Sequence, residues 1–407
     1  MDRVILHSDL NNFYASVECM LHPELKGKCV AVCGSEENRH GIVLAKNEAA
    51  KKFGVKTAET IWQAKKKCPD LVTVPPHFNE YRKYSQMVRD IYKEYTDLIE
   101  PFGMDECWLD VTGSRLLFGD GVTIAEKIRK EVKEKTGLTV SVGVSFNKVF
   151  AKLGSDMKKP DAVTEISPQN FKDKVWPLPA GDIIGVGKAT LQRLNTLGIK
   201  TIGDIANTPL EFFENRFGKM GIALWQNANG LDDSPVCHQD YKAPAKSIGH
   251  GRTLKEDLVN NDEVWKVIYH LSRELEKSLR YKGFLASTCS ITIKDETLGV
   301  KEYQTPLKTA TQSSYEIARA LFELFKEKYT WHKNVRALTV RAVKLSTGNE
   351  DEQLSFFEEE TVKDEKREKA EKAAFELENR FGTGSITFGS LMNNEKLPAG
   401  GHEEDDE

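Results

Sequence analysis

Two adjacent carboxylates, Asp105 and Glu106, stand between apolar runs: Leu98 and Ile99 lead in, and Trp108, Leu109 and Val111 lead out. Apolar segments on both sides of a turn predict a β-hairpin, with the acids at its tip or at the start of its second strand. Neighbouring residues of a strand point to opposite faces, so the two acids share one site only where the backbone twists. Held together, they repel and take up a proton unless a cation neutralises them. For a bare Asp-Glu pair a solvated turn is the stronger reading, and the hairpin alone does not overturn it.

The N-terminus supplies a third acid. Val4-Ile5-Leu6-His7-Ser8-Asp9-Leu10 reads as a short buried strand ending in a carboxylate, and Asn11 to Glu18 follows as a helix start. An acid leaving the end of a buried strand is what a divalent-metal site on a sheet needs. Mg²⁺ takes oxygen ligands and keeps positions for phosphate and water. Two such ions about 4 Å apart clamp the attacking and leaving oxygens of a phosphoryl transfer. That Asp9 meets Asp105 and Glu106 across so long a stretch of chain is an inference.

At 407 residues, with 39% hydrophobic and 29% charged residues, the chain has room for two or more domains of a soluble protein. It has no apolar run near the ~20 residues of a membrane span, and the N-terminus lacks a signal peptide's basic segment and apolar core. A cytosolic protein is expected. Seven cysteines occur without CxxC spacing; Cys29 and Cys33 share a strand face, but no partner pair follows at zinc-site spacing. Reduced thiols are the expectation.

Charge is unevenly divided. Residues 347–407 carry 18 acids and 7 bases, whereas residues 242–346 carry 19 bases and 12 acids. A basic module beside an acidic tail suits contact with a polyanion.

Short strands (29–33, 41–45, 139–144) alternate with helices (47–53, 60–68, 77–95, 122–135) through the first part of the chain, which predicts an α+β layer. Lys51 and Lys52, with Lys46 just before their helix, would hold a triphosphate as point charges if they stood beside a metal site; from the spacing alone an ordinary solvated helix face is the favoured reading. A helix over 147–157 delivers Lys158 and Lys159 to Pro160. Ile183 to Lys188 then opens a helix to Leu197, followed by Gly198-Ile199-Lys200: helix, glycine turn, helix. Gly185 and Gly187 let backbone N–H groups approach a phosphate, with Lys188 beside them. Beyond a linker at 241–246, strands and helices succeed one another as β-α-β-β-α-β, the ferredoxin-like or split unit. In Ser287–Lys294 one face is Cys289, Ile291 and Ile293, and the other is Thr288, Ser290, Thr292 and Lys294. A face of Thr, Ser, Lys and Arg suits phosphate-backbone contact without base readout, or simple solvation.

The run His7–Glu18, the Asp105-Glu106 hairpin, and Ser145-Phe146-Asn147-Lys148-Val149-Phe150-Ala151-Lys152 with Asp156-Met157-Lys158-Lys159-Pro160 occur in the order found in Y-family DNA polymerases, and the chain resembles that family, in its bacterial type, to about residue 346. The resemblance implies a right-hand polymerase: palm (1–12 and 75–165), fingers (13–74), helix-hairpin-helix thumb (166–240), little finger (247–346) and an acidic tail (347–407). It implies a translesion enzyme of low fidelity, acting in damage tolerance. A primer 3′-hydroxyl would attack the α-phosphate of a deoxynucleoside triphosphate at two Mg²⁺ ions held by Asp9, Asp105, Glu106 and the Leu10 carbonyl. Tyr14 matches the steric gate against ribonucleotides, with Phe13 beside it. Lys46, Lys51, Tyr81 and Lys159 would face the triphosphate. The sequence departs from the family where Glu48, Lys51 and Ala45 replace a Tyr, an Arg and a small hydroxyl residue. Arg252, Lys294 and Arg341 are candidate DNA contacts. Gln353-Leu354-Ser355-Phe356-Phe357 resembles the peptide by which such polymerases bind a sliding clamp. A monomer is expected.

Two other readings compete. A nucleotidyl cyclase also places carboxylates on a palm-like sheet, but it leaves the thumb, the basic module and the tail peptide unexplained. An inactive scaffold for DNA and clamp would be expected to lack one of the three acids.

Overall fold

The computed structural model describes residues 3–35, 41–347, 361–382, 385, 386, 389 and 396. The chain forms two compact units, one built from Met1–Gly34 and Ile42–Lys242, the other from Ala243 onward.

The first unit carries β1 (Ile5–Leu10), β2 (Val30–Cys33), β3 (Val43–Lys46), β4 (Val72–Val74), β5 (Ile99–Pro101), β6 (Glu106–Asp110), β7 (Val140–Ser145) and β8 (Val163–Ile166). They form a five-stranded sheet in the order β5-β6-β1-β7-β8 and a three-stranded sheet, β3-β2-β4. All six residues of β1 are buried, polar His7, Ser8 and Asp9 included. That is the pattern of a central strand covered on both faces.

On one face the helices Phe78–Lys93 and Gly121–Thr136 set Val88, Ile91, Ile124, Ile128 and Val132 against Leu6, Leu109, Val140 and Val142. On the other, the helix Lys148–Met157 lies directly on β7. Gly143 permits this approach, because a Cβ there would come within 1.8 Å of the Ala151 carbonyl oxygen. Asn147 starts that helix by accepting a 2.8 Å hydrogen bond from the Phe150 N–H, which meets a donor the first turn leaves unpaired.

The three-stranded sheet has its own small core of Ala31, Val43, Ala50, Ile61, Ala64 and Cys68. The helices Lys188–Thr196, Ile202–Asn207, Leu210–Phe217 and Lys219–Ala228 close around Leu194, Ile202, Ile205, Phe213 and Leu224. All seven cysteines are free thiols.

The second unit holds β9 (Ser247–Leu258), β10 (Leu285–Asp295), β11 (Val300–Thr311) and β12 (Val335–Ser346), in the order β11-β10-β12-β9 with every neighbouring pair antiparallel. Each β-α-β unit is split by a strand of the other. The helices Asn261–Lys282 and Ser314–Lys328 cover Ile291, Ile293, Leu338 and Val340. A further helix, Thr361–Phe381, packs on this layer. Its buried Glu371 accepts from Ser314 Oγ and the Tyr315 N–H, at 2.8 and 3.0 Å, and its buried Glu378 pairs with Arg273 and Lys277. Among the described residues no helix is long and apolar enough to cross a membrane.

Candidate active site

β1 and β6 run antiparallel with Asp9 directly opposite Glu106, so the two carboxylates share one face of the sheet. Asp105 stands one residue before β6. Gly103, at φ +85°, turns the chain there, and the Asp105 carbonyl accepts a 2.9 Å bond from the Leu10 N–H. The chain therefore changes direction just ahead of the strand, between Gly103 and Glu106.

A pocket of about 330 Å³ opens beside them, lined by Asp9, Asp105, Tyr14, Lys46, Lys51 and Lys159 among others. Glu106 turns toward buried His7, whose Nε2 lies 3.1 Å from Glu106 Oε2 and whose Nδ1 lies 2.8 Å from Ser155 Oγ. Lys152 Nζ stands 2.6 Å from Glu106 and 3.8 Å from Asp9, and Lys159 Nζ is 2.7 Å from Asp9. The helix seated on Gly143 therefore brings Lys152 to the carboxylates.

Burial pushes the Asp9 acid up to about 6 against the pull of Lys159, and it raises Asp105 as well, with help from the charge of Glu106. Glu106 would also be raised by burial, but the close approach of His7 and the Lys152 ammonium group outweighs this and holds it below the usual carboxylate range.

Three carboxylates and the Leu10 carbonyl are the hard oxygen donors that Mg²⁺ prefers. Among the described residues no three His, Cys, Asp or Glu side chains are drawn close enough to cage an ion. Two lysine ammonium groups neutralise Asp9 and Glu106 instead. Asp9, Leu10 and Asp105 all line the pocket, and their oxygens are of the hard type that a divalent cation takes.

On the far side of the pocket Lys46 Nζ donates to Thr57 Oγ1 at 2.9 Å. Lys51 Nζ lies 3.5 Å from Glu48 Oε1, which also accepts from Asn12 Nδ2 at 2.9 Å. Asn12 precedes the helix Phe13–Leu21 in the left-handed region, at φ 51°, which asparagine tolerates better than most residues.

Tyr14 presents a half-buried ring to the pocket, while Phe13 borders it from the core. Tyr81, expected against the triphosphate, is placed otherwise. It is fully buried, stacks beneath Tyr14 with ring centres 4.3 Å apart, and donates its hydroxyl to Glu18.

Gly185, at φ +93°, and Gly187, which caps the helix Lys188–Thr196, both leave open space where a Cβ would stand, and Lys188 is exposed beside them. In the second unit, Lys294 and Arg341 belong to the face opposite the helices, with Arg341 3.2 Å from Glu302. Arg252 does not join them. Its position opposite Leu338 puts it on the helix-covered face, where it pairs with Glu274 at 2.9 Å. The peptide Gln353, Leu354, Phe356 and Phe357 lies outside the described residues.

Sequence reasoning missed His7, Lys152, Glu18 and Asn12 as members of this site. Lys152 and Asp156 are one helical turn apart, the one pattern that could have drawn attention to them. A lone histidine in a buried strand carries no such signal.

Paired carboxylates on adjoining strand ends, a lysine-lined pocket and a helix-hairpin-helix module together make a nucleotidyl-transferring polymerase. Models of the impB/mucB/samB family and its C-terminal domain match residues 8–156 and 245–356, and a model of the DNA polymerase-iota thumb domain matches residues 181–232. DNA polymerase IV of Acetivibrio thermocellus is 51% identical over 397 residues, 98% of this chain and 99% of that one. DNA polymerase IV of Clostridium kluyveri is 36% identical over 97% and 100%. A solved Y-family DNA polymerase chimera, 27% identical, superposes with a TM-score of 0.74 over 84% of this chain and 99% of its own. The chain belongs to the Y family of DNA polymerases. It is a DNA-directed DNA polymerase of the translesion type, a family of divalent-metal nucleotidyltransferases whose substrates are DNA and nucleotides, and this disfavours the cyclase and scaffold readings.

Proposed function

We propose that Asp9, Asp105 and Glu106, with the Leu10 carbonyl, hold two Mg²⁺ ions for addition of deoxynucleoside monophosphates to a primer end. The observation that carries this is the opposition of Asp9 and Glu106 on β1 and β6, with Asp105 lining the pocket of Tyr14, Lys46, Lys51 and Lys159. Bound there, the metal supplies charge neutralisation at the reacting phosphate and oxygens. The residues of the chain do the positioning. Lys46, Lys51 and Lys159 hold the triphosphate, and an arriving anion would favour the charged form of Lys46, which burial and the neighbouring Lys51 disfavour. Tyr14 closes the sugar side, where a ribose 2′-hydroxyl would collide with its ring. Catalysis by such a site is mainly alignment and preorganised charge.

The five-stranded sheet serves as palm, the three-stranded sheet with its helices as fingers, residues 166–240 as thumb and residues 247–346 as little finger. Gly185, Gly187 and Lys188 receive a DNA phosphate at a helix N-terminus. Lys294 and Arg341 contact backbone phosphate on the open sheet face. The 353–357 peptide docks on a sliding clamp, and the protein acts as a monomer.

Primer extension with Mg²⁺ tests the central reading. Extension by the wild type and its loss in Asp105→Ala, with DNA binding retained, are expected. Undiminished extension by Asp105→Ala would overturn the assignment of the acids.

A further inference from the structure

We infer that Glu18 is a positioning residue for sugar discrimination, acting through Tyr81 on the ring of Tyr14. The inference rests on the reading of Tyr14 as the sugar gate.

Glu18 is fully buried in the helix Phe13–Leu21. Burying a carboxylate is costly unless its oxygens are hydrogen-bonded, and a Leu or Met would fill the space at less cost. What Glu18 holds is therefore informative. Its Oε1 accepts the Tyr81 hydroxyl, and His77 Nδ1 lies 3.0 and 3.1 Å from its two oxygens. His22 stands at the edge, 4.0 Å away.

Tyr81 is fixed at both ends. Its hydroxyl is tied to Glu18, and its ring is wedged by Phe78, 5.7 Å away at 82°, and Phe13, 6.1 Å away at 58°. Tyr14 rests on that ring, 4.3 Å from it and within 11° of parallel. Tyr14 and Glu18 are themselves one turn apart on the same helix face, so one helix supplies both the gate and the anchor of its support. A gate that rejects a single added hydroxyl must hold its height to a fraction of an ångström. The stack on Tyr81 provides that rigidity: Tyr14 cannot retreat into the core while Glu18 keeps Tyr81 in place.

The test compares insertion of a deoxynucleotide and the matching ribonucleotide, as kcat/KM, by wild type, Glu18→Met, Tyr81→Phe and Tyr14→Ala. Glu18→Met fills the space of the carboxylate and leaves no oxygen to accept the Tyr81 hydroxyl. Tyr81→Phe removes one oxygen and keeps the stacked ring, so it remains informative where Glu18→Met unfolds. Both variants are expected to raise kcat/KM for the ribonucleotide, lowering selectivity about tenfold, the worth of one lost buried hydrogen bond. General structural damage would depress both nucleotides together and leave the ratio unchanged. Unchanged selectivity in Glu18→Met and Tyr81→Phe, with selectivity lost in Tyr14→Ala, would overturn the role of Glu18 and spare the gate. Unchanged selectivity in Tyr14→Ala would remove the gate reading itself, and this inference with it.

Discussion

The Lys152 ammonium group stands 2.6 Å from the Glu106 carboxylate, on a helix that reaches the site only because it lies flush against the sheet. Lys152 is thus a fixed positive charge at the point where the acids of two strands converge, and it orients Glu106 together with His7. Lys152→Met keeps the unbranched side chain out to Cε and removes the charged Nζ. The rate of nucleotide addition is expected to fall about 10–100-fold, the usual effect of losing a partner that orients a metal-site ligand. DNA affinity, measured by fluorescence anisotropy, should change little. An unchanged single-turnover rate would make Lys152 a spectator.

Glu48 places a negative charge in the pocket proposed to take a triphosphate, and Asn12 and Lys51 hold it there. A carboxylate near an incoming polyanion weakens its binding by about 1 kcal/mol at water-like screening, roughly fivefold. Glu48→Gln keeps the bond from Asn12 and frees Lys51 for phosphate. KM for the deoxynucleotide should drop by about that factor with kcat little changed. A rise in KM would mean that Glu48 orients Lys51 productively.

The turn after Lys159 is pinned by Asp161, which pairs with Arg129 at 2.6 Å and Lys133 at 2.7 Å, while its N–H donates to Asn11. Burial works to raise the Asp161 acid, but Lys133 and Arg129 more than compensate and hold it below the ordinary value. A carboxyl whose acidity is strengthened by folding stabilises the fold above its unfolded pKa of about 4 and loses that contribution as pH falls through the folded value. Asp161→Asn should therefore lower Tm on the order of 2 °C near pH 7. The gap to wild type should close below about pH 4. A gap independent of pH would show that the ion pairs contribute nothing to folding.

Legibility in the sequence followed the range of the physics. Periodic burial made the Phe78–Lys93 and Gly121–Thr136 helices and the alternating strand β10 readable within a few residues at each end, because those patterns are local. The acids Asp9, Asp105 and Glu106 stood out because carboxylates at strand ends oppose the apolar drift around them. Tyr81 and Arg252 were misplaced for a common reason. An aromatic or a cation in sequence does not disclose whether its polar end meets ligand or a distant carboxylate, and here the carboxylates are Glu18 and Glu274. His7 and Lys152 both depend on contacts with Glu106, far from either in the chain, which no local pattern encodes.

Gly143 joins fold and site most directly. It sits in β7, where the Ala151 carbonyl and the Ser155 N–H occupy the space a Cβ would need, at 1.8 and 2.5 Å. Both neighbours are backbone atoms of the helix that carries Lys152, so no side-chain adjustment can relieve the clash. Gly143→Ala must lift the helix away from the sheet. Overpacking of this kind costs about 1–3 kcal/mol or more, which predicts a fall in Tm on the order of 5 °C. The displacement also draws Lys152 away from Glu106 and Ser155 away from His7. Activity should therefore fall further than stability alone explains, even at temperatures where the variant is fully folded. Gly→Ala at an exposed glycine with open space, such as Gly113, serves as the control and should leave both unchanged. Full activity in a folded Gly143→Ala variant would show that the site tolerates a displaced helix, and that the contact between Lys152 and Glu106 is dispensable.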